Sequence, residues 1–91
     1  MTTTQSVAVI TGASQGIGEA LVTAYRKMGY AVVANSRSIE ASDDPMVLAV
    51  AGDIGQAGVG RRVIDAAVER FGRVDTVVNN AGIFTAKPFT A

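Results

Sequence analysis

The sequence predicts an α/β fold in which a doubly wound parallel sheet carries helices on both faces. Four short apolar runs alternate with longer amphipathic stretches, and a glycine-rich segment joins the first apolar run to the first amphipathic stretch. Alternation of this kind specifies parallel strands joined by right-handed crossovers. We therefore expect a partial sheet of four strands in the order 3-2-1-4.

The first strand and the first helix are predicted from residues 7–28. Residues 7–10 are continuously apolar and stop at Thr11, which is typical of a strand buried on both faces. Apolar residues then recur at helical spacing until Gly29, a residue that commonly ends helices. The predicted apolar face of this helix comprises Ile17, Leu21, Ala24, Tyr25 and Met28.

Strands two and three are predicted from residues 31–34 and 47–51, which repeat the short apolar pattern. Residues 35–44, before Pro45, are rich in the turn formers Asn, Ser and Asp and predict a connection outside the strands. A parallel crossover usually requires about a dozen residues or more. Because this connection is shorter, a loop and a short helix both stay open.

The second helix and the fourth strand are predicted from residues 59–78. The apolar face of the helix comprises Val59, Val63, Ala67 and Phe71. Gly72 ends the helix, and residues 74–78 then predict strand four. The residues that follow position 82 are too few for another strand and helix, and no linker or repeat is present. We therefore expect residues 1–91 to form the N-terminal portion of a single domain.

The glycine-rich segment, residues 11–18, has the features of an anion-binding turn. Gly12 allows a sharp turn with positive φ, Gly16 lets backbone amides approach a phosphate, and Gly18 allows close helix packing. The helix N-terminus adds free N–H groups and the positive end of a dipole. A dinucleotide pyrophosphate suits this geometry, although glycines that merely punctuate a turn are the alternative. A Walker phosphate loop is excluded because Glu19 stands where that motif needs Lys.

Composition excludes several kinds of chemistry. The 91 residues contain no Cys and no His, so they offer no disulfide, thiol nucleophile or imidazole base, and we expect no metal site. The 8 basic residues balance the 8 acidic ones, which argues against nucleic acid and anionic membranes as partners. The N-terminus lacks a signal-peptide pattern, and no apolar run approaches the ~18 residues of a membrane span. By exclusion we expect a cytoplasmic protein.

Two motifs stand at the ends of predicted strands one and four. They are Thr11-Gly12-x-x-x-Gly16-x-Gly18 and Asn79-Asn80-Ala81-Gly82. Together they resemble the short-chain dehydrogenase/reductase family, and the resemblance covers about residues 7–82. It implies an NAD(P)-dependent oxidoreductase on a Rossmann fold. Asp53 and Asp75 also stand where that family commonly has acidic residues.

The resemblance implies a set of cofactor-binding residues. Residues 12–18 would wrap the pyrophosphate, Asp53 would hydrogen-bond the adenine amino group beside Ile54, and residues 80–82 would line a cofactor ribose. With the end of strand two, the expected set is Gly12, Ser14, Gln15, Gly16, Ile17, Gly18, Ser36, Arg37, Asp53, Ile54, Asn80, Ala81 and Gly82.

Three of the polar residues have structural interpretations. Asn79 is expected to brace the sheet against Thr11, and Asp75 is expected to fix the start of strand four. For Asp53 the alternative to adenine binding is a turn residue that caps the next helix.

The end of strand two favours NADP(H) over NAD(H). An acidic residue there would accept a hydrogen bond from a free 2′-hydroxyl and repel a 2′-phosphate, whereas an arginine attracts the phosphate. Arg37 lies between Ser36 and Ser38, and residues 35–38 contain no carboxylate. An ordinary solvated loop cation is the alternative interpretation of Arg37.

The family's chemistry uses a Tyr with a Lys four residues later and a Ser upstream, and that pattern is absent from these 91 residues. Tyr25 is followed at the fourth position by Gly29, and Tyr30 by Ala34, so no catalytic residue is assigned. We expect the cofactor-binding portion of an enzyme that transfers a hydride between nicotinamide and a carbonyl or alcohol substrate. Substrate binding and homo-oligomer contacts would require a complete chain. In the 91-residue chain alone, strand four would be an open apolar edge that promotes self-association.

Two other functions stay open at this point. A non-catalytic module that binds or senses a dinucleotide would need only the cofactor site. An adenosylmethionine-dependent methyltransferase would need an acidic residue at the end of strand two. Ser36 and Arg37 lie there instead, so this function is disfavoured.

Overall fold

The computed structural model describes residues 5–14 and 16–80 of the chain. Its elements, in chain order, are β1 (Val7–Thr11), α1 (Gly16–Lys27), β2 (Ala31–Ser36), β3 (Val47–Ala51), α2 (Val59–Phe71) and β4 (Thr76–Asn79). Neighbouring strands pair in parallel in the order β3-β2-β1-β4, which confirms the predicted partial Rossmann sheet with flanking helices. Among these described residues, no helix has the length and apolar character needed to cross a membrane.

The strands β1 and β2 form the centre of the sheet and are buried along their whole length. Continuous apolar runs suit this position because both faces of each strand are covered. In the register, Thr11 lies opposite Asn35 on one side and opposite Asn79 on the other. The carboxyl ends of the parallel strands therefore meet at one edge of the sheet, and polar side chains collect there.

One face of the sheet is covered by α2. Its helical spacing brings Val59, Val63 and Ala67 into the core cluster formed with β1 and β2, as the sequence predicts. Val63 is 1% exposed, and burial of a valine side chain contributes about 1.5–3 kcal/mol. Gly72 ends the helix with a φ of 89° and donates its N–H to the carbonyl of Val68.

The opposite face is covered by α1, whose buried side differs from the predicted one. Ile17 and Met28 are 66% and 61% exposed and Ala24 is exposed too, so their assignment to the apolar face is wrong. Gly18 is the buried residue of this helix. The side chains that pack against the sheet are those of Leu21, Val22 and Tyr25. They lie one and two turns after Gly18, so the close approach of this glycine sets the helix rotation.

The strand β2 extends two residues further than predicted, through Asn35 and Ser36. Both residues pair in register with β3, Asn35 opposite Val50 and Ser36 opposite Ala51. Their polar side chains predicted a connection, but each side chain is hydrogen-bonded internally and both residues are buried. Internal hydrogen bonds thus allow the strand to continue past the end of the apolar run.

Residues 37–46 connect β2 to β3 without a helix, so of the two alternatives the loop is correct. Arg26 of α1 fastens this connection, since its Nε donates to Oδ2 of Asp44 at 2.7 Å and its Nη1 donates to the carbonyl of Tyr30 at 2.9 Å. A groove of about 750 Å³ lies between the connection, α1 and the sheet. Its lining residues include Ser14, Ser38, Val47 and Ala49.

At the other side of the sheet, β4 begins at Thr76, two residues later than predicted. Val74 still packs against the core cluster on the α2 face. In the described part of the chain, β4 pairs with β1 alone, and Val77 is 56% exposed. The predicted apolar edge is therefore present in the described sheet, and the predicted self-association stays a prediction.

Candidate functional site

The turn between β1 and α1 has the backbone geometry that the glycine spacing predicts. Gly12 and Gly16 have φ values of 65° and 54°, in the left-handed region that favours glycine. A side chain at Gly18 would overlap the carbonyl oxygen of Gly12 and lie 2.7 Å from its carbonyl carbon. The helix therefore packs so closely on the turn that only glycine fits at position 18.

The space beside the turn is open. The helix α1 begins at Gly16, and among the described residues, apart from the chain neighbours of Gly16 and the backbone of its own helix, no atom lies within 4 Å of a Cβ built on this residue. The first N–H groups of a helix have no partner within the helix and carry the positive end of its dipole. The turn therefore fits a phosphate or pyrophosphate group. Ile17 is exposed next to this space, and Gln15 lies outside the described residues.

The turn and the end of β2 meet through Ser14 and Ser36, whose hydroxyl oxygens are 2.8 Å apart. The Ser36 hydroxyl also accepts a hydrogen bond from the backbone N–H of Ser38 at 3.3 Å. Arg37 lies between these serines, is exposed, and forms no ion pair or hydrogen bond with another described residue. Its guanidinium is therefore available to an anion bound near the two hydroxyls.

The buried polar residue Asn35 was not among the predicted site residues. Its Nδ2 donates to the carbonyl of Val50 at 2.9 Å and to the carbonyl of Gly52 at 3.1 Å. A sequence signal was present, because a polar residue that continues a strand buried on both faces needs internal hydrogen-bond partners. Those partners belong to another strand, so the sequence did not identify them.

Asp53 begins the turn that follows β3. Its Oδ1 accepts a hydrogen bond from the N–H of Gly55 at 2.9 Å, and its backbone carbonyl accepts one from Gln56 at 2.8 Å. The N-cap residue of α2 is Gly58, so the alternative that Asp53 caps this helix is wrong. Oδ2 of Asp53 accepts no hydrogen bond from a described residue. Ile54 is partly buried against the core on the α2 face.

The end of β4 is fastened to the glycine turn. The Thr11 hydroxyl donates to Oδ1 of Asn79 at 3.1 Å, which confirms the predicted bracing contact. Asn80 donates from Nδ2 to the carbonyl of Gly12 at 3.1 Å. Asn80 therefore lies at the turn, and its expected contact with a cofactor ribose stays a prediction. Ala81 and Gly82, the other predicted residues of this segment, lie outside the described residues.

Asp75 fixes the start of β4, as predicted. Its Oδ2 accepts a hydrogen bond from the N–H of Val7 at 2.8 Å, and its Oδ1 accepts one from Nε of Arg73 at 3.1 Å. The bond from Arg73 and then the bond from Val7 lower the pKa of the Asp75 carboxyl. These contacts lie at the amino edge of the sheet, so Asp75 is structural.

The two tyrosines also lie away from the carboxyl edge. Tyr25 is near the end of α1 and Tyr30 directly precedes β2. Their ring centroids are 4.9 Å apart with an angle of 72° between the ring planes, an edge-to-face contact. Both residues therefore contribute to packing at the amino edge.

The family is decided by a sequence match over nearly the whole chain. The family model described as short chain dehydrogenase matches residues 6–91. The chain belongs to the short chain dehydrogenase family. Short chain dehydrogenases bind nicotinamide cofactors, and the glycine turn at the carboxyl edge is where a Rossmann sheet binds a dinucleotide.

Individual short chain dehydrogenases resemble the chain in sequence and structure. An uncharacterized oxidoreductase of Methylorubrum extorquens is 44% identical over 88 residues, which cover 86% of this chain and 36% of the relative. A short-chain dehydrogenase/reductase from Serratia marcescens is 38% identical with a TM-score of 0.76, over 88% of this chain and 37% of that one. A 3-ketoacyl-(acyl-carrier-protein) reductase from Brucella melitensis, solved with NADH, is 33% identical with a TM-score of 0.73, over 79% and 32%. The chain thus spans about a third of the length of these relatives.

Proposed function

We propose that the chain is the cofactor-binding part of an NADP(H)-dependent oxidoreductase that transfers a hydride between nicotinamide and a carbonyl or alcohol substrate. The proposal rests on the glycine turn, where Gly18 lies against Gly12 and the space beside Gly16 is open. The backbone N–H groups at the start of α1 would bind the pyrophosphate there. When bound, the nicotinamide cofactor supplies or accepts the hydride.

The remaining residues of the site would hold the adenosine half and one ribose. Ser14, Ser36 and Arg37 would surround the 2′ position, because the two hydroxyls are in contact and the guanidinium is exposed next to them. Oδ2 of Asp53 would accept a hydrogen bond from the adenine amino group. The proposed set is completed by Gln15, Ile17, Ile54, Asn80, Ala81 and Gly82. We assign no proton donor among the described residues, since Tyr25 and Tyr30 pack at the amino edge.

The preference for NADP(H) is supported by charge at the end of β2. Residues 35–38, at the end of this strand, contain no carboxylate, whereas Arg37 lies there beside the hydroxyls of Ser14 and Ser36. Hydrogen bonds from a guanidinium to a phosphate are charge-assisted and contribute about 1.5–3 kcal/mol. The reductase from Brucella melitensis was solved with NADH, so membership in the family leaves the choice of cofactor to residues such as these.

The test is a comparison of dissociation constants for NADPH and NADH, measured by calorimetry on the full-length native protein and on its Arg37→Asp variant. We expect the native protein to bind NADPH more tightly. Arg37→Asp should weaken NADPH binding by about tenfold to a hundredfold, because an attraction to the 2′-phosphate becomes a repulsion. The variant should bind NADH with nearly native affinity.

Arg61→Asp is the matched control for this experiment. Arg61 is an exposed residue of α2 that pairs with Asp65 one turn along the helix, so the same charge change is made on the other face of the sheet. Both dissociation constants should stay at their native values in this control. An unchanged ratio in Arg37→Asp would exclude the role of Arg37, and absence of binding of either dinucleotide to the native protein would exclude the proposed function.

A further inference from the structure

The side chain of Asn35 forms the hydrogen bonds that fix the end of β3. Asn35 is 1% exposed, and its Nδ2 bridges the carbonyls of Val50 and Gly52 at 2.9 and 3.1 Å. The carbonyl of Gly52 belongs to the residue that directly precedes Asp53. An amide donor from the neighbouring strand therefore fixes the peptide from which Asp53 extends.

The backbone around Asn35 links the same region to the glycine turn. The carbonyl of Asn35 accepts a hydrogen bond from the N–H of Ala13 at 3.0 Å, and the carbonyl of Ser36 accepts one from Gly52 at 2.9 Å. Three neighbouring strand ends are thus joined through two consecutive residues of β2. The joined segments carry the proposed pyrophosphate, 2′-phosphate and adenine contacts.

Filling space in the core does not explain why an asparagine occupies position 35. Apolar side chains occupy the preceding positions of β2, residues 31–34, and satisfy burial without a polar group. Burial of a side-chain amide is unfavourable unless it is hydrogen-bonded. Here the two hydrogen bonds from Nδ2 reach the carbonyls of Val50, near the end of β3, and of Gly52, directly before Asp53.

We propose that Asn35 is a positioning residue for adenine recognition: its amide holds the backbone at Gly52 so that the Asp53 carboxylate lies at a fixed place relative to Ser36 and the glycine turn. This inference rests on the proposed function, because it assumes that Asp53 contacts the adenine. It assigns no direct ligand contact to Asn35.

The experiment substitutes Asn35→Asp in the full-length native protein and measures binding of 5′-AMP and of inorganic pyrophosphate by NMR titration. The carboxylate has the size of the amide, but it cannot donate hydrogen bonds to the carbonyls of Val50 and Gly52, and its oxygen is repelled by theirs. We expect the dissociation constant of 5′-AMP to rise about tenfold, while that of pyrophosphate changes by less than about twofold. A general loss of structure would weaken both ligands together.

Asn79→Asp is the matched control, since it makes the same substitution at the end of β4. Oδ1 of Asn79 accepts a hydrogen bond from Thr11, and a carboxylate oxygen accepts it equally well. Binding of 5′-AMP should be unchanged in this control. Native-like binding of 5′-AMP by folded Asn35→Asp would overturn the role of Asn35 while leaving the proposed function intact. A native protein that binds neither 5′-AMP nor a dinucleotide would instead exclude the proposed function.

A measurement on the native protein covers the case in which Asn35→Asp does not fold. The side-chain NH₂ resonances of Asn35 should shift when 5′-AMP binds, because adenine contact with Asp53 changes the backbone that the amide holds. Pyrophosphate should shift the amides of residues 12–18 and leave the Asn35 side chain unchanged. If the side-chain NH₂ chemical shifts of Asn35 do not change at saturating 5′-AMP, the proposal is contradicted.

Discussion

On one face of the sheet α2 buries Val59, Val63 and Ala67, whereas on the other face α1 buries Gly18 and leaves Ile17 and Met28 exposed. The first face is closed by side chains that interdigitate with β1 and β2. The second face is approached by helix backbone at one end and stays open beside the helix-free connection between β2 and β3. Packing is therefore concentrated on the face away from the glycine turn.

The two faces of the sheet differ in what they contribute: one contains a groove and the other contains the core. The groove of about 750 Å³ lies on the α1 face, and Ser14 and Ser38 are among its lining residues. A closely packed helix in that space would cover the approach to the end of β2. The looser face thus carries the groove beside Ser14, whereas the α2 face supplies the core, against which Ile54 of the proposed site packs.

The largest effect is expected from a substitution on the α1 face, at Gly18, where the helix lies closest to the backbone of Gly12. Gly18→Ala places a Cβ against the carbonyl of Gly12, so we expect the free energy of unfolding to fall by about 3 kcal/mol and NADPH binding to be lost. Gly60→Ala is the matched helix substitution on the other face, where the nearest atom, Cδ1 of Ile54, is 3.9 Å from the added Cβ. That variant should gain about 0.5–1 kcal/mol from helix propensity. Urea unfolding of the two variants checks both values, and equal effects would contradict the packing difference.

A smaller effect is expected when both faces are overfilled with the same substitution. Ala67 is 0% exposed in the α2 core, so Ala67→Leu should lower the free energy of unfolding by about 1–3 kcal/mol through overpacking. Ala49 lines the groove and has space in front of it, so Ala49→Leu should change stability by less than about 0.5 kcal/mol. Thermal unfolding compares the two variants directly. A destabilisation of Ala49→Leu as large as that of Ala67→Leu would show that the groove is closed in solution.

The smallest effect concerns the ion pair that fastens the β2–β3 connection over the groove. The hydrogen bond from Arg26 and then the bond from the N–H of Met46 lower the pKa of the Asp44 carboxyl. Because the folded state has the lower pKa, the contribution of Asp44 is present above the unfolded-state pKa of about 4 and is lost as the pH falls through the folded-state value. The stability difference between the native protein and Asp44→Asn should therefore be constant from about pH 5 upward and shrink below about pH 4.

Asp43→Asn is the control for this pH series, since Asp43 forms no ion pair with any residue of the described ranges. Urea unfolding at each pH measures all three proteins. A difference between native protein and Asp44→Asn that grows as the pH is lowered would reverse the expected sign and exclude the ion pair as its cause.

Most of the fold was predictable because local patterns determine it. The ranges of β3 and α2 agree with those predicted, since an apolar run and a helical apolar face each end at a glycine. The face of α1 was not predictable from apolar spacing, because Gly18 has no side chain to mark it as the buried position. The contact that rotates the helix joins Gly18 to Gly12 through backbone and leaves no hydrophobic signal.

The candidate site was predictable where a residue type itself carries the chemistry. Gly12 and Gly16 have the positive φ values, and Gly18 the close approach to Gly12, that the glycine spacing predicts. Asn35 was missed because its hydrogen-bond partners, the carbonyls of Val50 and Gly52, come close to it only in the folded sheet. Binding by the predicted residues stays a prediction that the dinucleotide titrations test.

The pairing of β1 with β4 also has a consequence for how the protein is made. The hydrogen bond between Val7 and Asp75 joins positions 68 residues apart, whereas β1 meets β2 by pairing residue 7 with residue 31. Closing the longer loop costs about 1 kcal/mol more in chain entropy. Among the described strands, β1 precedes both of its partners in the chain, and its second partner, β4, is synthesised last. Until β4 has been synthesised, that edge of β1 is unpaired, and unpaired strand edges of this kind make a nascent chain prone to aggregation.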